Sequence, residues 1–153
     1  MFSVKVEPLR FSRTKYGSVV GPIWVEMQSA CFPGKSWSDF PVVILGWWFE
    51  AINGLCSGAP KRAECRFMEG PFAFEICAIE PDNWLLRFLR KDVLETRCLL
   101  ESRQSPALMV REVQSSAKLV FRYCHERSWL SDDLIALETQ CAKLDAQRRR
   151  GNF

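Results

Sequence analysis

The sequence predicts an α+β fold, in which an antiparallel sheet packs against a core helix and a helical hairpin follows. Four apolar runs with a period of two residues, separated by short turns, span residues 62–101 and are typical of an antiparallel meander. Apolar residues with a helical period fill 39–56 and return after residue 105. Because strands and helices are grouped along the chain, α+β is favoured over an alternating architecture. A length of 153 residues predicts one domain, 1–153, with its own core.

Two strands are predicted ahead of the core helix and are expected to join the sheet. Phe2, Val4 and Val6 alternate with polar residues, which is the pattern of a half-buried strand. Pro8 interrupts this pattern, so the first strand is expected at an edge or at a bend. A second strand is predicted over residues 23–30, where one face is apolar.

The core helix is predicted over residues 39–56. Ser38 or Asp39 is expected to cap its N terminus, Pro41 suits its first turn, and Gly58 follows its end. Its apolar stripe is expected to consist of Phe40, Ile44, Trp47, Ala51 and Leu55, widened by Trp48 and Ile52. Such a broad apolar face predicts that the helix lies at the centre of the core.

Each strand of the meander is expected to present alternate residues to the core. Turns are predicted at residues 69–71, 81–83 and 91–92, where the apolar runs are interrupted. The core-facing residues are expected to be Ala63, Cys65, Phe67, Phe72, Phe74, Ile76, Ala78, Trp84, Leu86, Phe88, Leu94, Thr96, Cys98 and Leu100. The opposite face is expected to meet solvent.

Two helices are predicted at the C-terminal end of the chain. Ser105 and Pro106 open the first helix in the order cap and then proline, and its apolar stripe runs to about Glu126. Ser131 is expected to cap the second helix, which begins with acidic residues and ends with basic ones. These helices form the predicted hairpin.

Composition disfavours several classes of function. The net charge is only +3, with no broad basic stripe, which disfavours a nucleic-acid partner. The longest apolar run, 40–45, is far shorter than the roughly 20 residues of a membrane span, so no membrane association is expected. Glycine-rich phosphate loops are absent, and the seven cysteines lack the close pairs of a zinc site. We therefore expect no cofactor and no metal, and reduced cysteines in a cytoplasmic protein.

Histidine-dependent catalysis would rest on one residue, His125, because the chain has no other histidine. Cys124 precedes it, but adjacent helix positions point about 100° apart, so these two side chains do not meet. No catalytic residue is assigned. A small enzyme that combines His125 with a cysteine distant in sequence is the alternative hypothesis. A weak nucleic-acid-associated protein, using the arginines of residues 148–150, is a second alternative.

Two segments resemble a group of small bacterial proteins. The first, Phe32 to Trp48, carries an FP…W.DF…LGWW pattern, and the second, Phe67 to Phe72, has the form F.(D/E)GP(F/Y). Proteins with these segments are similar to immunity proteins of polymorphic toxin systems, and the resemblance covers about residues 20–80. It implies a cytoplasmic protein that binds another protein, such as a cognate toxin domain. It transfers no catalytic residue.

A partner-binding surface is predicted from the same segments. The loop before the core helix and the turn at 69–71 are not assigned to the core, and loops on a rigid scaffold concentrate binding residues. Trp37 offers a large apolar anchor, Asp39 and Glu69 offer charge, and Trp48 is expected at the edge of the surface. The sequence therefore predicts a non-enzymatic protein-binding module, most specifically an immunity-type inhibitor of a toxin.

Overall fold

The computed structural model describes residues 1–151 and confirms the α+β class. The strands are β1 (Phe2–Val6), β2 (Ser12–Arg13), β3 (Val19–Met27), β4 (Ala30–Phe32), β5 (Ser38–Asp39), β6 (Arg62–Arg66), β7 (Phe72–Glu80), β8 (Asn83–Lys91) and β9 (Thr96–Gln104). The helices are α1 (Pro41–Cys56), α2 (Pro106–Glu126) and α3 (Asp132–Arg149), with a 3-10 helix at Pro8–Arg10. All strand pairs are antiparallel.

The strands are divided between two sheets, so the N-terminal strands form a sheet of their own and do not join the meander as predicted. In the N-terminal sheet, β3 is the central strand, and β1, β2, β4 and β5 all pair with it. In the second sheet, β6 to β9 follow one another in chain order, as the predicted meander requires. Helix α1 packs against β3 and β6 and also against α2 and α3, so its predicted central position is confirmed.

Helix α1 begins later than predicted and is not capped by Ser38 or Asp39. Its N-cap residue is Phe40, which makes no side-chain capping hydrogen bond, and Pro41 is the first helical residue. Ser38 and Asp39 instead form β5, which pairs with β3. Tertiary pairing therefore overrides the local capping signal.

The two adjacent tryptophans of α1 lie in different environments, and the stripe predicted for this helix is wrong at Trp47. The side chain of Trp47 is 38% exposed, whereas Trp48 is fully buried. Trp47 lies three residues before the exposed Glu50 and shares its helix face. Trp48 shares a face with Leu45 and Ile52, which are also fully buried.

Strand β9 differs most from its prediction. Between its two halves the register with β8 shifts, because Leu99 is one extra residue in β9. Such a bulge moves the side chains on its two sides to opposite faces. Leu100 therefore faces inward as predicted, while Thr96 and Cys98 are exposed. Leu94, which the alternation places in the core, lies in the turn before β9 and is 97% exposed.

The C-terminal helical pair forms as predicted. The Ser105 hydroxyl accepts a hydrogen bond from the Leu108 N–H at 3.4 Å, and the Ser131 hydroxyl accepts one from the Leu134 N–H at 3.1 Å. Both predicted caps are thereby confirmed. Helix α3 packs mainly on α1. Across residues 1–151, no helix combines the length and the apolar character needed to cross a bilayer.

Candidate functional site

Asp39 is a buried carboxylate at the junction of the two segments that carry the resemblance. Its Oδ1 accepts hydrogen bonds from the backbone N–H groups of Phe40 at 2.8 Å and Met68 at 3.3 Å. Its Oδ2 accepts one from the indole Nε1 of Trp37 and one from the backbone N–H of Glu69, both at 3.1 Å. These four donors replace the water that the carboxylate has lost. Asp39 thus ties the loop, the start of α1 and the turn after β6 together.

Trp37 lies half-buried against the turn at 69–71. Its ring meets the ring of Phe72 edge-on, with centroids 5.4 Å apart. Gly70 has a φ of +70°, and a Cβ at this position would lie 3.1 Å from the Phe72 ring and 3.2 Å from the Trp37 ring. Glycine is therefore required here both by the backbone conformation and by the close approach of two rings.

Aromatic rings from both segments form one cluster beneath the loop and the turn. The ring of Phe32 lies 5.7 Å from the rings of Phe67 and Phe72, measured between centroids. Trp48 packs edge-on against Phe67 at 5.2 Å, and its indole N–H donates to the Arg66 carbonyl at 2.8 Å. The two segments are therefore one structural unit, and their shared aromatic residues mostly hold the scaffold.

Two hairpin turns lie side by side above this cluster. The turns at 67–71 and 92–95 connect β6 to β7 and β8 to β9, so they project from the same end of the meander. The Lys91 N–H donates to the Pro71 carbonyl at 2.7 Å, which joins the two hairpins. The exposed parts of Trp37, Met68, Glu69, Val93 and Leu94 are called the sheet-end surface below.

An open cavity of about 340 Å³ lies beneath the first of these turns. Its lining includes Glu64, Arg66, Met68 and Lys91. The Lys91 Nζ lies 2.6 Å from one oxygen of Glu64, and the Arg66 Nε lies 3.9 Å from the other. Because two cations face one carboxylate, this part of the lining carries a net positive charge. The Arg66 guanidinium also lies 6.0 Å from the centre of the Trp47 ring, so Arg66 lies between the cavity and this exposed tryptophan.

The structure brings the predicted partner contacts together but exposes only some of them. Glu69 is exposed, and part of Trp37 is exposed beside it. Asp39 and Trp48 have no exposed surface, so these two residues cannot touch a partner directly in this conformation. They hold the loop and the turn in place instead. That a partner binds at this end of the sheet stays a prediction.

Three exposed residues of this surface escape the sequence prediction. Met68 is 39% exposed, and Val93 and Leu94 are fully exposed. Leu94 was expected in the core because its spacing continues the alternation of the following strand. No sequence signal marks Leu94 as exposed, because Asp92 already lies in the predicted turn at 91–92 and the apolar alternation continues from Leu94.

The groups of the alternative enzyme hypothesis, His125 and a distant cysteine, are not brought together by a hydrogen bond in the described residues. The His125 Nε2 lies 2.7 Å from the Glu138 carboxylate, and in residues 1–151 no cysteine forms a hydrogen bond with His125. Burial raises the pKa of Cys56 to about 12, and it also raises the pKa values of Cys65, Cys77, Cys124 and Cys141. A raised pKa reduces the thiolate population that nucleophilic catalysis needs. The described part of the chain also contains no group of three or more side chains that could hold a metal ion.

No protein family, curated protein or solved structure matches the chain.

Proposed function

We propose that the chain is a non-enzymatic protein-binding module that inhibits a cognate bacterial toxin by covering it with the sheet-end surface. The observation that carries this proposal is the adjacent pair Val93 and Leu94. Both side chains are large, aliphatic and fully exposed at the tip of one hairpin. Contiguous exposed apolar groups on a soluble domain are characteristic of surfaces that bind another protein.

The hairpin tip is held in shape before any partner arrives. The Asp92 carboxylate lies 3.1 Å from the Arg90 guanidinium and 3.7 Å from that of Arg97. The neighbouring turn is fixed by Asp39, which accepts hydrogen bonds from two of its backbone N–H groups. A preorganised surface loses less conformational entropy on binding, which favours affinity.

The charges around the surface indicate the chemistry of the partner. Arg66 and Lys91 line the cavity beside it, with Glu64 as the facing carboxylate. A complementary partner would present an apolar patch to Val93 and Leu94 and an acidic side chain to the cavity. The net charge of +3 fits a target other than a uniformly basic nuclease site. Such an inhibitor would act in the cytoplasm, where it meets the toxin.

The test begins with the neighbouring reading frame, whose product is expressed with and without this chain. We expect that product to be toxic alone, to be neutralised by the chain, and to bind it in titration calorimetry. Leu94→Ala is the sharpest variant, because a fully exposed side chain contributes little to folding. Its loss is expected to weaken binding by about 2 kcal/mol, or about thirtyfold in Kd.

Ile79→Ala is the matched control, because Ile79 is an aliphatic residue that is 66% exposed near the opposite end of the same sheet. The Ile79→Ala variant should bind the partner with the affinity of the wild-type protein. If the complex forms but Leu94→Ala and Val93→Ala both bind normally, the sheet-end surface is not the interface. If the neighbouring product is neither toxic nor bound, the inhibitor function itself is refuted.

A further inference from the structure

The four-stranded sheet has one edge that is covered and one that is not. Strand β6, at the first edge, packs against α1. Strand β9, at the other edge, makes extensive contact only with β8 among the elements of residues 1–151. Within residues 100–104, Glu101 and Arg103 are exposed, whereas Gln104 is buried and its side-chain oxygen accepts a hydrogen bond from the Phe2 N–H at 3.4 Å. An uncovered edge presents unpaired backbone N–H and C=O groups, which can pair with another strand.

We propose that β9 pairs antiparallel with β9 of a second copy of this chain, so that two meanders join into one eight-stranded sheet. This inference does not depend on the proposed function. The pairing involves residues 100–104, which follow β8 in unbroken register. The bulge at Leu99 ends this regular segment, because it bends and twists the strand locally.

The alternation of side chains restricts the register of such a dimer. A two-fold axis perpendicular to the sheet keeps the solvent faces of both copies on the same side. With Ser102 on the axis, Glu101 of each copy lies opposite Arg103 of the other, and Leu100 lies opposite Gln104. Moving the axis by one residue would place Glu101 against Glu101 or Arg103 against Arg103. It would also shorten the pairing from five residues to three, so length and charge select the same register.

The charges on the solvent face fit this arrangement. Glu75 lies 3.3 Å from Arg87, which lies 3.2 Å from Glu101, so alternating charges already cross three strands. Arg103 is exposed and forms no ion pair with any carboxylate of residues 1–151. In the dimer, Glu101 of the second copy supplies that carboxylate. The line of alternating charges then continues through the interface.

A ladder of five residues is a small interface, below the roughly 1,200 Å² of a standard protein complex. We therefore expect a dimer that dissociates on dilution. Sedimentation equilibrium over a dilution series measures its Kd with the full-length protein.

Two charge reversals test the register. Arg103→Glu alone and Glu101→Arg alone each place like charges opposite each other twice, and each should raise the Kd of the dimer at least about tenfold. An equimolar mixture of the two variants should recover dimers. In the mixed dimer the native Glu101 faces the native Arg103, and the two introduced charges also face each other with opposite sign.

Arg122→Glu is the matched control, because Arg122 is exposed like Arg103 but lies in α2, outside the paired segment. It should leave the Kd unchanged, and circular dichroism should show that every variant is folded. A wild-type protein that stays monomeric at every concentration overturns the proposal. So does a mixture that fails to recover dimers, or an Arg122→Glu variant as disruptive as Arg103→Glu.

Discussion

Removing the Asp39 carboxylate tests whether this buried group holds the sheet-end surface in place. Asp39→Ala leaves four N–H donors without their acceptor. Met68 and Glu69 lie in an exposed turn, so water can replace the acceptor at their N–H groups. The donors of Trp37 and Phe40 are less accessible, and a hydrogen bond to a charged group contributes about 1.5–3 kcal/mol. We expect the free energy of unfolding to fall by about 4 kcal/mol, a large share of the 5–15 kcal/mol typical of a domain.

Urea unfolding, followed by tryptophan fluorescence, measures this change as a lower midpoint at an unchanged m-value. Asp39→Asn is the matched control, because it keeps the shape and one acceptor oxygen and should lose about half as much stability. Hydrogen exchange at the Trp37 indole N–H gives a local measure, and it should be faster in both variants. A loss below about 1 kcal/mol for Asp39→Ala would show that the four hydrogen bonds contribute little beyond solvation.

Two further predictions concern the glycine of the turn and the thiols. Gly70→Ala is expected to lower the free energy of unfolding by about 1–3 kcal/mol, because φ is positive and the added methyl group meets two aromatic rings. Urea unfolding measures this loss of stability, and an unchanged midpoint would contradict the prediction. In the native protein, the exposed Cys98 should react with iodoacetamide well before the buried Cys65, whose pKa burial raises far above its usual value. Mass spectrometry of the labelled peptides gives the order of reaction, and equal rates would contradict the buried assignment.

The sequence predicts the fold class because the class depends on local periodicity. Val110, Val113 and Ala117 recur at helical spacing and are all fully buried in α2. Phe74 and Ile76 alternate at strand spacing and are fully buried in β7. Where one period persists over several turns or residues, burial follows it directly.

The prediction fails at β9 because a single residue breaks the period. The alternation from Leu94 to Leu100 is regular in the sequence, yet Leu99 bulges and the turn extends to Glu95. A bulge leaves no mark in the pattern of apolar residues, since each half of the strand remains regular by itself. The exposed pair at the hairpin tip is therefore visible only in the structure.

The wrong prediction for Trp47, which is exposed while Trp48 is fully buried, has a different cause. Both fit an apolar helical stripe, so the stripe alone does not decide between them. Glu50 does, because a charged residue three positions after Trp47 marks that face as exposed. The sequence therefore contains the signal that Trp47 is exposed, and it lies in the charged positions of the helix considered together with the apolar ones.

The hydrogen-bond partners of Asp39 could not be predicted from the local sequence. Two residues before a proline that opens a helix, an aspartate is a good capping candidate. Its carboxylate instead accepts hydrogen bonds from a turn that lies in a distant hairpin, at Met68 and Glu69.

The residues that hold the sheet-end surface in place lie within the segments of resemblance, whereas Val93 and Leu94 lie beyond residue 80. A scaffold set by the first group can carry different residues at the hairpin tip without losing its fold, because fully exposed side chains contribute little to stability. If a partner binds as proposed, we expect the tip, and not the aromatic cluster, to determine which partner is bound.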